Sequence, residues 1–208
     1  MNIRIMIGAC GLAVFLGGCA TMGKDECLVS DWRSVGYEDG VQGRTADRIG
    51  AYRKDCAKHG IRPDLTAYQA GRTEGLTEFC RPDNGFHVGS KGQAYRGVCP
   101  NEMADEFVAS YRKGRQLYDL QSRVRTVNRQ INTKRRRLEQ IDEQLLSTGT
   151  RLIVSPTTTE ERVEMLAKTK NLATERGRVE TEIPELIARK TRLEKELENY
   201  RGELAANY

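Results

Sequence analysis

The sequence predicts an all-α protein: a small, disulfide-tied, glycine-rich helical head followed by a long antiparallel helical hairpin of coiled-coil type. Three observations carry this. Apolar residues recur every seven positions through the second half of the chain. Glycines and aromatics recur at spacings of three and four in the first half. Cys27, Cys56, Cys80 and Cys99 all fall in that first half. The composition agrees: 30% charged, 38% hydrophobic and 6% aromatic residues suit elongated helices better than one large globular core.

The chain opens with Met1-Asn2-Ile3-Arg4, an apolar run from Ile5 to Leu16, and then Gly17-Gly18-Cys19. A charged start, a short apolar stretch and small residues before a cleavage point make a secretory signal. The run of about 12 residues is too short to span a bilayer, which takes about 20, and Lys24, Asp25 and Glu26 follow almost at once. Leu16-Gly17-Gly18-Cys19 resembles a bacterial lipobox. That resemblance implies that residues 1–18 are a lipoprotein signal peptide. Cys19 would then be the acylated first residue of the mature chain, and 19–26 a lipid-anchored tether. Ala20 stands second in the mature chain where aspartate would oppose sorting, so the expected address is the outer membrane, facing the periplasm. The first expected partner is the lipid bilayer, through acyl chains of the palmitate type at Cys19, each buried methylene adding about 0.8 kcal/mol.

The net charge of +5 is a modest excess. In an exported chain it does not point to nucleic acid; a solvated mixed-charge surface accounts for it, with anionic head groups or the cell wall as the polyanions within reach.

Residues 27–115 read as the cysteine, glycine and aromatic domain. Four thiols in an oxidising compartment read as two disulfides. Zinc would want close pairs such as C-x2-C, and the gaps here are 29, 24 and 19 residues, so no metal is expected. Of the three possible connectivities, Cys27–Cys56 with Cys80–Cys99 is preferred, because each closes a short excursion between helix ends. Trp32, Gly36, Gly40 and Gly43 form one helical stripe; Tyr68, Gly71, Gly75 and Phe79 form a second; Phe107, Tyr111, Gly114 and Tyr118 form a third. Locally, Tyr68-x-x-Gly71-Arg72 matches Tyr111-x-x-Gly114-Arg115. An interior glycine costs a helix about 1 kcal/mol relative to alanine. Close approach of a neighbouring backbone, or a ring lying in the groove, would offset that. Arg81-Pro82-Asp83-Asn84-Gly85 reads as a turn, and the run on to Tyr95 as a glycine-rich loop held by Cys80 and Cys99. This loop lacks the lysine and Ser/Thr of a phosphate-binding loop. Pro100-Asn101-Glu102 starts the next helix.

These features together resemble an uncharacterised family of proteobacterial lipoproteins, domain of unknown function 2799. They are Cys27, the Trp32/Gly36/Gly40 stripe, Cys56, Tyr68-x-x-Gly71-x-x-x-Gly75, Cys80, Tyr95-Arg96-Gly97-Val98-Cys99-Pro100 and Tyr111-x-x-Gly114. The resemblance covers roughly Cys19 to Tyr118. It implies address and fold, and it transfers no functional residue.

Residues 116–208 carry the heptads. Leu117, Val124, Ile131, Leu138 and Leu145 are seven apart, with Leu120, Val127 and Ile141 between them and Lys134 as the polar member. A second seam runs through Met165, Leu172, Val179, Leu186, Leu193 and Tyr200, with Ile183, Leu197 and Leu204, and with Arg176 and Lys190 interrupting. Ser147 to Thr159 is rich in breakers and reads as the connection, with Thr159 capping the second helix. Two such helices fold back most economically as an antiparallel hairpin. Arms of about 30 to 40 residues would run roughly 45–60 Å. Pro184 is expected to kink or break the second helix. Self-association through the same seam is the competing arrangement.

No catalytic motif emerges. His59 and His87 lie in no recognisable nucleophile arrangement; His59-Gly60 reads as a helix end, and His87 has only Ser90 or Asp83 nearby in sequence. The expectation is a non-enzymatic structural or adaptor protein of the cell envelope, without cofactor, meeting an envelope protein or peptidoglycan. A glycan- or peptide-binding head using Trp32, Tyr68 and Tyr95 for stacking is the alternative.

Overall fold

The computed structural model describes residues 22–154 and 158–206, so the expected signal segment, residues 1–18, and Cys19 lie outside the described residues. Among the described residues there are seven helices and no strand: α1 Lys24–Val29, α2 Trp32–Val41, α3 Arg48–Ala57, α4 Leu65–Phe79, α5 Pro82–Ser90, α6 Asn101–Val154 and α7 Thr159–Ala206. The chain divides into two compact units. One comprises residues up to Cys80 together with Arg96–Met103; the other comprises Arg81–Tyr95 with Ala104–Tyr208. Helix α6 runs unbroken through residues 115 and 116.

In the first unit, α2 and α4 cross through their glycines. A Cβ built at Gly36 would overlap the Tyr68 carbonyl, and one at Gly71 the Arg33 carbonyl; Gly40 and Gly75 sit equally tightly against Arg72 and Tyr37. Backbone thus meets backbone, which is what offsets the poor helix propensity of four glycines. Both helices start on aspartate caps: Asp31 accepts from the Arg33 and Ser34 amides, Asp64 from those of Thr66 and Ala67. The core around the crossing is Cys27, Trp32, Tyr52, Cys56 and Tyr68. The pairing Cys27–Cys56 joins α1 to the end of α3, and Cys80–Cys99 closes the second excursion, as expected. Replacing Cys27 and Cys56 by serine is expected to lower stability by about 3–4 kcal/mol through loop-closure entropy. Thermal melts of the double variant against wild type check this.

In the second unit most of the stretch read as turn and loop, Pro82–Ser90, is a helix, α5, and the turn reading holds at Gly92 beyond its end. Pro82 occupies its first turn, where a missing amide costs nothing. Gly85 and Gly89 then press on the Phe107 and Tyr111 carbonyls of α6, and Gly114 presses back on Phe86. Tertiary contact thus holds a helix that propensity alone would not form. Each unit also places a left-handed glycine beneath a ring: Gly43 (φ +62°) under Phe79, and Gly92 (φ +73°) under Tyr118.

The hairpin closes within the second unit. Val127 and Ile131 pack on Leu193; Ile141 packs on Leu172 and Val179. Arg123–Glu196, Lys134–Glu182 and Arg137–Glu175 pair with one partner's number rising as the other's falls, which makes the helices antiparallel, and Asp142 pairs with Arg176 beside the last of them. The three polar seam residues are each neutralised: Lys134 by Glu182, Arg176 by Asp142 and Glu180, Lys190 by Glu194. Three expectations need correction. α6 extends to Val154, through most of the supposed connection. The cap is Thr158, one residue earlier than expected: its hydroxyl accepts from the Glu161 amide while the Glu161 carboxylate accepts from its own. α7 continues through Pro184 as one helix. Counted from residue 116, the first arm ends at Val154, within the expected length, whereas α7, at 48 residues, is longer than expected.

Candidate functional site

A groove of about 380 Å³ opens on the first unit beside α2. Its floor holds Asp39, which lies on the same face of α2 as Trp32, Gly36 and Gly40 and is only 6% exposed. Both of its carboxylate oxygens are engaged: Tyr68 donates its hydroxyl at 2.8 Å and Tyr52 at 3.3 Å. Arg48 donates its Nε to the Tyr52 oxygen at 3.2 Å, and its guanidinium stands 5.2 Å from the Tyr52 ring. Burial first, then the hydrogen bond to Asp39, pushes the Tyr68 hydroxyl well above the usual phenol range. Burial also raises Tyr52, against the pull of Arg48. Both phenols therefore keep their protons and act as donors to the carboxylate. Ser34, Glu38 and Arg44 form the rim with Arg48.

A larger groove, about 670 Å³, lies where α3 runs into α4. Arg53, Lys54 and Arg62 line it with Ile61, Pro63 and Leu65.

The residues singled out from sequence fall elsewhere. Trp32 is 8% exposed and Tyr68 1%, so neither offers an open ring face for a sugar. Trp32 packs 6.2 Å from Tyr52, and Tyr52 6.3 Å from Tyr68. Tyr95 is half-buried in the second unit, tilted 4.8 Å from Phe107 and 5.9 Å from Tyr111. Trp32 and Tyr68 belong to the first unit and Tyr95 to the second. His59 and His87 are both exposed, and Ser90 donates to the His87 carbonyl rather than to its ring. Among the described residues no three His, Cys, Asp or Glu side chains cluster as a metal site would need. Sequence reasoning missed the Asp39 cluster. The available signal was a charged residue lying between Gly36 and Gly40 on a stripe otherwise read as buried.

Residues 31–116 match a family model described as a protein of unknown function, DUF2799. The match begins at the Asp31 cap and ends two residues past Gly114, so it takes in both glycine-locked helix pairs and leaves most of the hairpin outside. Comparison with curated proteins and with solved structures gave no significant match.

Proposed function

We propose that the protein is a periplasm-facing lipoprotein of the outer membrane, acylated at Cys19, which acts without catalysis as an adaptor through its helical hairpin. The observation that carries this reading is the distal part of the hairpin. Leu146, Ile153 and Val154 on α6, and Val163 and Leu166 on α7, are 59–86% exposed, whereas Ile141, Thr148 and Leu172 in the seam are buried. In heptad terms Leu146, Ile153, Val163 and Leu166 share one flank of the antiparallel pair, which a lone hairpin leaves in water. The lipobox, the even number of mature cysteines beyond Cys19 and the cationic groove of Arg53, Lys54 and Arg62 agree with an anchored life beside anionic head groups.

Two measurements test it. Cys19→Ser is expected to abolish incorporation of a palmitate label and to release the protein from the membrane fraction. Retention of both would end the anchoring claim. A photocrosslinker at Ile153, in native envelopes, is expected to trap a discrete envelope protein that Leu166→Glu abolishes. The same adduct from a crosslinker at exposed Glu139, on the mid-hairpin, would remove the role of the distal flank.

A further inference from the structure

The two units contain the same helix pair, built twice. Gly36, Gly40 and Gly43 recur 49 residues later as Gly85, Gly89 and Gly92; Tyr68, Gly75 and Phe79 recur 39 residues later as Phe107, Gly114 and Tyr118. The match extends to the turn that follows each first helix, although Ser110 stands where the first unit has Gly71. Arg44 and Gln93 donate their amides to the carbonyls of Asp39 and Val88 at 2.9 and 3.1 Å. Arg72 then anchors the Arg44 carbonyl at 2.8 Å, and Tyr111, at the matching position, anchors that of Gln93 at 2.9 Å. The local match of Tyr68 with Tyr111 is therefore one turn out of register.

This repeat supplies a comparison inside one molecule. Asp39 and its counterpart Val88 are both 6% exposed, and Tyr68 and Phe107 are 1% and 0% exposed. The same two buried positions hold a hydrogen-bonded acid and phenol in one unit and two apolar side chains in the other. The helix pair therefore does not need the acid. A buried carboxylate is costly to desolvate even when partnered, and well-packed apolar groups commonly replace such clusters without loss. The rim differs in the same way, His87 and Gln93 standing where the first unit has Glu38 and Arg44.

We propose that the groove over Asp39 binds a zwitterionic ligand, an ammonium with a nearby carboxylate as in an amino acid or short peptide. Two carboxylates, Asp39 and Glu38, and two guanidiniums, Arg44 and Arg48, bound it. Their balance suits neither a bare anion nor a bare cation, and it suits a group bearing both. Each oxygen of Asp39 takes one phenol and keeps a second lone pair for an ammonium N–H. Arg48 spends its Nε on Tyr52, which fixes the plane of its two terminal amino groups, the fork that takes a carboxylate. This inference does not depend on the anchoring or adaptor reading.

The test uses the full-length protein in detergent, with Trp32, the chain's single tryptophan, as a fluorescent reporter beside Tyr52. Glycylglycine is expected to shift its emission and to give saturable heat in calorimetry. N-acetylglycylglycine, lacking the ammonium, and glycylglycine amide, lacking the carboxylate, should each bind at least about tenfold more weakly, the loss of one charge-assisted bond. The double variant Asp39→Val/Tyr68→Phe copies the second unit's solution. It is expected to keep the wild-type helix content and melting behaviour and to lose the response; Arg48→Gln should weaken it. No response to glycylglycine, an equal response to the blocked peptides, or undiminished binding by the double variant would overturn the proposal. So would a double variant that fails to fold, because the cluster would then belong to the scaffold.

Discussion

Gly71→Ala is expected to destabilise the first unit by about 3 kcal/mol or more, the upper part of the range for overpacking. The sign is the informative part. By helix propensity alone, alanine should improve α4 by about 1 kcal/mol. At Gly71, however, the added methyl would land on the carbonyl of Arg33 and close to the Tyr37 amide, both backbone atoms of α2. Neither can swing aside as a side chain would, so the helices must separate, and Gly36, Gly40 and Gly75 lose their contacts together. Gly149, Gly177 and Gly202 provide the control. They lie inside helices with nothing within 4 Å of a built Cβ, so alanine there is expected to stabilise by up to about 1 kcal/mol each. Far-UV melts of the four variants check both signs. A Gly71→Ala protein that melts at or above wild type would show that the crossing tolerates separation.

The contrast between these glycines bears on what the sequence made legible. The seam from Leu117 to Leu145 could be read directly, because a seven-residue repeat has one economical arrangement once a second repeat follows within hairpin reach. The cysteine pairing could be read from spacing and position. The stripes at Gly36 and Gly71 could be read as close helix contacts, because helical periodicity and glycine together leave few alternatives. Helix α5 was not read, since two glycines in nine residues, with Pro82 at the start, lower its intrinsic propensity. Only its contact with Phe107 and Tyr111 makes it helical, a tertiary override that local sequence does not carry. A signal was nevertheless present: Gly85, Gly89 and Gly92 repeat the spacing of Gly36, Gly40 and Gly43, and Pro82 marks a helix start. The Asp39 cluster escaped for another reason. Tyr52 and Arg48 come from α3, whose approach to α2 no periodicity encodes. The family match takes in both glycine-locked helix pairs and leaves most of the hairpin aside.

In the hairpin, Ile141→Asp is expected to separate α7 from α6 around its middle, where Ile141→Ala would cost about 2–4 kcal/mol. Ile141 is fully buried between Leu172 and Val179, with Leu138, Leu145 and Ile183 around it. An aspartate there adds an unpartnered buried charge to the lost packing. The ion pairs flanking the seam cannot compensate, because they lie at its solvent edge. Arg137 holds Glu175 with two hydrogen bonds, at 2.8 and 2.7 Å, and this keeps the Glu175 carboxyl below its ordinary range; Lys134 does the same for Glu182. A lowered carboxylate contributes stability above its unfolded pKa and loses it as the pH falls through the lowered value. At neutral pH these pairs are fully formed, yet as exposed pairs they contribute little and are weakened by salt. Glu175→Gln and high salt should therefore leave the hairpin closed, while Ile141→Asp opens it. Limited trypsinolysis distinguishes them: rapid cleavage at Arg135–Arg137 and Arg176–Arg178 in Ile141→Asp alone is the expected result. Equal cleavage in Glu175→Gln would shift the weight from the apolar seam to its charged edge. Since Leu146, Ile153, Val163 and Leu166 form a common flank only while the two helices stay together, opening the seam at Ile141 should also abolish the crosslink from Ile153, although that residue lies three turns away.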